Sequence, residues 1–217
     1  MAARPGRPRR AIRRRRWWIP GVVGFLTVTL VLVVVHQGSS EGFTDMSGHR
    51  VVPDEEVPVD NHEAIAMVLE ESGPQFEIPS VGLSAPLGSI LDVDGVMYPP
   101  NYDSVFHVRN RGVSLREASQ GTVFLVAHST AGGKSPGNFI QNKQQITVNQ
   151  GEQIIVGDLV YQVVSTTKIP KDQIGEDATL WESIPGRLVF LTCAVEPHSG
   201  PSTTNIVVIG ELTGAHH

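Results

Sequence analysis

The chain has 217 residues, 40% of them hydrophobic and 18% charged, with one cysteine and a formal net charge of −5. That apolar content excludes a disordered chain and leaves room for one globular domain plus a smaller part. A single cysteine excludes an internal disulfide framework and the cysteine-rich zinc modules.

The mean charge conceals a division. Residues 1–18 hold eight arginines and no acid, whereas the remainder holds nine Lys or Arg against 22 Asp or Glu, a formal −13. The basic segment, residues 1–18, closes on Trp17-Trp18 and runs into IPGVVGFLTVTLVLVVV without a charge. As a helix rising ~1.5 Å per residue, the stretch from Trp17 to Val35 reaches ~28 Å, about the thickness of a hydrocarbon core. Residues 19–36 are therefore expected to form a single transmembrane anchor. The arginines would then be cytoplasmic by the positive-inside rule, and the tryptophans would lie at the headgroups. No small-x-small cleavage site follows the run, so an uncleaved anchor is preferred to a secretory signal. An arginine arm for nucleic acid is not normally fused to an uncharged spanning stretch, so no nucleic-acid partner is expected. The acidic remainder is expected to be extracytoplasmic.

Residues 37–73 read as an acidic, Pro/Gly-punctuated stalk. They include a short helix in HEAIAMVLEES, capped by Asn61 and ended by Gly73-Pro74. Residues 74–213 change to short apolar runs broken by turn residues: FEIPS, VGLSAPL, VMYPP, VFHVR, TVFLVAHS, QITV, QIIVGDLVYQVVS, RLVFLTCAV and NIVVIGEL. Gly157-Asp158 suits a two-residue hairpin, and only GNFIQNK and DATLWES read as helical. About eight strands predict an all-β barrel or sandwich with short helices, followed by a tail at 214–217. No internal repeat, P-loop or dinucleotide-binding glycine pattern is present.

Cys193 ends the β-forming run RLVFLTCAV. A buried strand cysteine and a reactive nucleophile are both open readings for it. Only the thiolate attacks efficiently, and a thiol of pKa ~8.5 needs a neighbouring base or cation to supply it at pH 7. Of the eight histidines, His36, His49, His62, His216 and His217 have no evident task. His107 in FHVRN reads as a surface residue of a strand, and His198 falls in a loop. His128 ends the buried-looking strand TVFLVAHS ahead of the glycine-rich TAGGKSPGN, the place for a cleft residue at the mouth of a β-domain. A structural role for it is equally open. No metal-ligand spacing occurs and no cofactor motif is present, and Asp92/Asp94 in LDVDG reads as a turn rather than a calcium loop.

Taken together, IPSVGLSAPL, VFLVAHSTAGGKSPGNF, GDLVYQV, LVFLTC and the closing NIVVIGEL resemble the sortases, over roughly residues 74–213 and closest in tone to the actinobacterial class E and F groups. The resemblance implies an eight-stranded β-barrel behind a membrane anchor. It also implies a cysteine transpeptidase that cleaves a C-terminal LPXTG-like sorting signal through a thioacyl-enzyme. The surface protein would then pass to an amine of a peptidoglycan precursor or pilin. It implies Cys193 as nucleophile, His128 as general acid and base, Thr192 as a substrate-ordering residue, and Lys171 to Ser183 as a substrate-selecting segment. It implies no cofactor and no metal.

One departure stands out. The family carries an arginine shortly before its last strand, where this chain has Ser202-Thr203-Thr204-Asn205, and no Lys or Arg follows Cys193. The arginine's role is absent, taken by a neutral donor such as Asn205, or filled by a distant residue such as Arg187. A sortase-fold binding or assembly protein with little turnover is the alternative reading. Cysteine enzymes of other folds that act on peptidoglycan fit less well, because here His precedes Cys and no SHGC-like motif occurs.

Overall fold

The computed structural model describes residues 42–52, 75–195 and 200–215. The basic segment 1–18, the expected anchor 19–36, the helix after Asn61, His198 and the terminal His216-His217 lie outside the described residues. Among the described residues no helix is long and apolar enough to cross a membrane.

Ten strands form in chain order: β1 (Gln75–Ile78), β2 (Leu83–Ile90), β3 (Val105–Gly112), β4 (Thr122–Ala127), β5 (Gln141–Asn142), β6 (Gln145–Ile146), β7 (Gln153–Val156), β8 (Leu159–Pro170), β9 (Arg187–Cys193) and β10 (Thr204–Ala215). Eight of them close a barrel in the order β1-β2-β3-β4-β9-β10-β8-β7, and β5-β6 make a separate small hairpin. The expected eight-stranded barrel is thus present. The helical pieces are single turns: α1 (Pro136–Phe139), α2 (Lys171–Ile174) and α3 (Ala178–Trp181). β7 and β8 pair Val156 with Leu159 across Gly157-Asp158, and Gly157 takes φ 58°, the left-handed conformation such a turn needs at its first corner.

VMYPP is not a strand. Val93 and Val96 bridge each other across Asp94 (φ 52°) and Gly95, and Asp92 Oδ1 accepts from Gly95 N at 2.8 Å. The acidic pair therefore closes a turn, and the chain beyond it runs as a loop to β3.

Two pairings are parallel, β2 with β3 and β4 with β9. Parallel strands need long crossovers and are covered on both faces, which is why TVFLVA and RLVFLT read as unbroken apolar runs. Leu125, Ala127, Leu188 and Phe190 point into the barrel. Phe124, Val126, Val189, Leu191 and, from β10, Val207 form a second cluster on the outer side, where Ile174 and Trp181 pack over them. Burying both faces of these strands supplies apolar contact at about 25 cal/mol per Å² and fixes their register, since a one-residue slip would exchange the two clusters.

His107 was expected at the surface, but it is 7% exposed and its Nε2–H donates to Val113 O at 3.0 Å. Burial pushes its imidazole below the usual histidine range against the effect of that bond, and Arg109 adds to the lowering. A histidine held neutral by the fold contributes stability that is complete above its unfolded value of ~6.5 and is lost as pH falls towards its lower folded value. Denaturation measured from pH ~7 down to ~5 is expected to show falling stability, with a shallower slope in His107→Gln. Equal slopes in the two proteins would remove His107 as the cause.

Candidate active site

The parallel register of β4 and β9 pairs Ala127 with Thr192, so the next residues, His128 and Cys193, leave the barrel side by side at the same end. On the other flank, Cys193 pairs directly with Asn205 of β10. Neighbouring strands lie ~4.8 Å apart and paired residues share a face. His128, Cys193 and Asn205 therefore form one row that continues the outer stripe of Val126, Leu191 and Val207. All three line a cleft of about 420 Å³ whose floor includes Val126 and Leu191 and whose wall includes Met97, Ile174 and Trp181. Cys193 is half-buried and forms no disulfide.

The imidazole of His128 is gripped by the loop between β2 and β3. Its Nε2–H donates to Pro99 O at 2.9 Å, which leaves Nδ1 to carry the lone pair of the neutral ring. Tyr102 stacks on it at 4.0 Å between centroids and 12° between planes, and Tyr98 meets it edge-on at 5.2 Å. The segment misread as a strand is thus the holder of the histidine. That grip leaves Tyr98 Oη and Asn101 Oδ1 buried without a hydrogen-bond partner, each at a cost of about 1–3 kcal/mol.

Thr192 borders the cleft, yet strand alternation turns its hydroxyl to the inner side. It is 3% exposed, and its Oγ1 lies 2.9 Å from Ser129 Oγ. Its hydroxyl belongs to the layer beneath Cys193. Gln141, at the start of β5, completes that layer. Its Nε2 donates to Gly137 O at 2.9 Å, to Cys193 O at 3.1 Å and to Ser129 Oγ at 3.2 Å, while its Oε1 accepts from Val195 N at 2.7 Å. One side-chain amide thereby pairs the main chain on both sides of Ala194 much as another strand would. Gly137 N donates to His128 O at 2.9 Å. A Cβ on Gly137 would lie 2.0 Å from Thr192 Oγ1 and 2.1 Å from Ser129 Oγ, so no side chain fits there.

Arg187 does not enter the cleft. It sits at the far end of β9, six residues before Cys193 and so ~20 Å away along an extended strand. Its guanidinium is buried against Thr122 Oγ1 (3.0 Å), Thr179 O (2.9 Å), Leu180 O (3.0 Å) and Glu182 O. Arg187 is therefore not the arginine that serves the cleft, because this cation is spent on fastening the α3 segment to β9. The cations that border the cleft are Arg111 and Lys171, and neither was singled out from the sequence as a charge. Arg111 is held by Asp92, to which its Nε donates at 2.7 Å, and lies 4.3 Å over the Trp181 ring. Lys171 follows Pro170, the β8 partner of Thr204, and its N donates to Thr203 O at 2.9 Å. It comes from the adjacent strand to the Asn205 end of the cleft, a position visible only once β8 and β10 are paired. Among the described residues no group of three or more His, Cys, Asp or Glu is arranged to hold a metal ion.

No protein-family model matches the chain, and neither does any curated protein sequence. Solved structures do match. One is a pilus-related sortase C of group B Streptococcus, 14% identical, with 79% of this chain and 79% of that chain covered at a TM-score of 0.51. The chain has a sortase fold. A lid mutant of sortase A from Corynebacterium diphtheriae is also similar, 14% identical, with 70% of this chain and 74% of that chain covered at a TM-score of 0.50. The likeness is one of fold, and the residues of the cleft are read from this chain alone.

Gln141→Leu would leave Val195 N and the carbonyls of Gly137 and Cys193 without this partner. It is expected to lower the unfolding free energy by about 2–3 kcal/mol in denaturant titrations. A loss below about 0.5 kcal/mol, the scatter of ordinary surface changes, would show that the layer under Cys193 stands without it.

Proposed function

We propose that this protein is a membrane-anchored cysteine transpeptidase of the sortase type. It would act outside the cytoplasmic membrane, held by residues 19–36, on surface proteins that bear a C-terminal LPXTG-like sorting signal. The observation that carries the reading is the strand register: Ala127 paired with Thr192, and Cys193 paired with Asn205, line up a base, a thiol and an amide donor over one cleft.

In this mechanism the Cys193 thiol gives its proton to His128 Nδ1, and the resulting thiolate attacks a backbone carbonyl carbon of the signal, so that negative charge gathers on the carbonyl oxygen. Asn205, directly across from the nucleophile, donates its amide N–H to that oxygen, and Lys171 brings a positive charge to the same end of the cleft. The C–N bond then breaks, and His128 gives its proton to the departing amine, leaving an acyl group on the sulfur. A second amine, from a peptidoglycan precursor or a pilin, loses its proton to His128 and attacks the thioester, which forms a new amide and returns the thiol. Because Nε2–H is held by Pro99 O, Nδ1 is the nitrogen that exchanges the proton. The apolar floor of Val126 and Leu191 and the wall of Ile174 and Trp181 suit the apolar residues of such a signal, and α2 and α3 make the Lys171–Ser183 segment its selecting wall. The grouping with the actinobacterial class E and F sortases belongs to this proposal.

Incubation with sorting-signal peptides is expected to give an acyl adduct on Cys193 by mass spectrometry, and product with an added amine. Cys193→Ala abolishes both. His128→Ala removes turnover while the thiol remains open to alkylation. Asn205→Ala slows acylation by about 100-fold or more, the usual loss for one oxyanion donor, with little change in melting temperature. Equal silence of wild type and Cys193→Ala across several signals would sink the enzyme reading, and unchanged acylation in Asn205→Ala would remove that residue from the mechanism.

A further inference from the structure

Residues 42–52, within the stretch read from sequence as a stalk, pack on the end of the barrel that holds His128. They form a small hairpin: Thr44 bridges Arg50, Val51 N donates to Phe43 O at 2.7 Å, and Asp45 N donates to His49 O at 3.0 Å. Asp45 is the knot of this strap. It is 3% exposed. Its Oδ1 accepts from Ser47 N (2.9 Å) and His49 N (3.0 Å), which closes the hairpin turn. Its Oδ2 accepts from Lys134 N at 2.8 Å, in the loop that follows His128. Its main chain bridges Tyr102, whose ring is stacked on His128, and the Phe43 ring packs against that of Tyr102 with centroids 5.4 Å apart and planes tilted by 60°. Burial works against the charge of Asp45, but the N–H groups of Lys134, His49 and Ser47 outweigh it and hold the carboxyl below the usual carboxylate range. A buried carboxylate so fully engaged, and remote from the chemistry, has a mechanical task.

We propose that Asp45 is a positioning residue for His128: it ties the strap both to the loop that carries Tyr102 and to the loop that leaves His128, and so fixes the placement of the imidazole beside Cys193. The proposal rests on the reading of His128 as the acid and base. Pro99 O, the Tyr102 face and the Tyr98 edge hold the ring from outside the barrel, and the strap backs Tyr102. Misplacement of a proton-transfer group by about 1 Å can cost as much as 100-fold in rate, so the strap acts on turnover without touching substrate.

The test uses the full chain with three substitutions. Asp45→Ala removes the carboxylate's bonds to Ser47 N, His49 N and Lys134 N and leaves the main-chain bridge to Tyr102 without that support. Asp45→Asn keeps an oxygen for Ser47 and His49 but sets an N–H donor against Lys134 N. Phe43→Ala loosens Tyr102 without altering the carboxylate. All three are expected to lower kcat by about tenfold or more with KM unchanged. In all three, the His128 Cε1–H proton resonance, assigned with His128→Asn, is expected to move downfield out of the shielding region of Tyr102. The barrel should still melt cooperatively. If the variants lower the melting temperature while kcat and the His128 resonance stay put, Asp45 is only structural and the proposal is overturned. A wild-type chain without turnover overturns the transpeptidase reading instead, and the His128 resonance alone then decides whether the strap positions the ring.

Discussion

The structure depends on the parallel pairing of β4 with β9. Thr122 to Ala127 lies beside Arg187 to Thr192 without a break in register, and everything at the cleft inherits its position from that alignment. Parallel pairs cannot be joined by a tight turn, so the two strands are brought together by a long crossover and must be held by burial on both faces. The inner face meets the barrel core and the outer face meets a second apolar cluster under α3. The end of each strand then emerges at the rim with its last side chain on the outer face. At the end of β4 this is His128 and at the end of β9 it is Cys193.

A thiol and an imidazole at a rim would be poorly fixed by the strands alone. Three shells take up the slack. Beneath the sheet, Thr192, Ser129, Gln141 and Gly137 form a buried polar layer that grips the main chain around Cys193. Above it, Tyr98, Pro99 and Tyr102 close on the histidine. Behind Tyr102 lies the strap of residues 42–52. The loop that grips the histidine also carries two unpaired buried polar atoms, so local stability has been given up where the geometry of the ring is set, as is common at functional positions.

The barrel strands and the two rim residues were legible from local pattern, because β-branched and apolar runs bounded by glycine and polar turns encode strands directly. Cys193 stood out as the lone cysteine, His128 as the polar end of an apolar strand, and Gly157-Asp158 as a hairpin corner. Long-range partners were not legible. Arg187 looked like a spare cation, but its four acceptors come from Thr122 and the chain between Thr179 and Glu182, which only tertiary pairing brings near. Tyr98 and Val96 have strand-forming chemistry, and VMYPP was misread as a strand because tertiary contact with His128 outweighs that propensity. Asp45 looked like one more acid in a polar stretch. Its bond to Lys134 spans 89 residues, a relation that no periodicity displays.

The crossover between His128 and Cys193 has a consequence for how such a protein can diverge. The two groups meet because their own strands pair, and the 64 residues between them contribute only through the layer around Gly137 and Gln141 and through the closing strands. The α2 and α3 turns lie inside this crossover and make the outer wall of the cleft. Provided Ile174, Leu180 and Trp181 keep the outer faces of β4 and β9 covered, the other positions of these turns can change composition while the alignment of β4 and β9 stays intact. The exposed wall of the cleft and the row of His128, Cys193 and Asn205 therefore come from separate stretches of chain, so the wall could be remodelled without rebuilding that row.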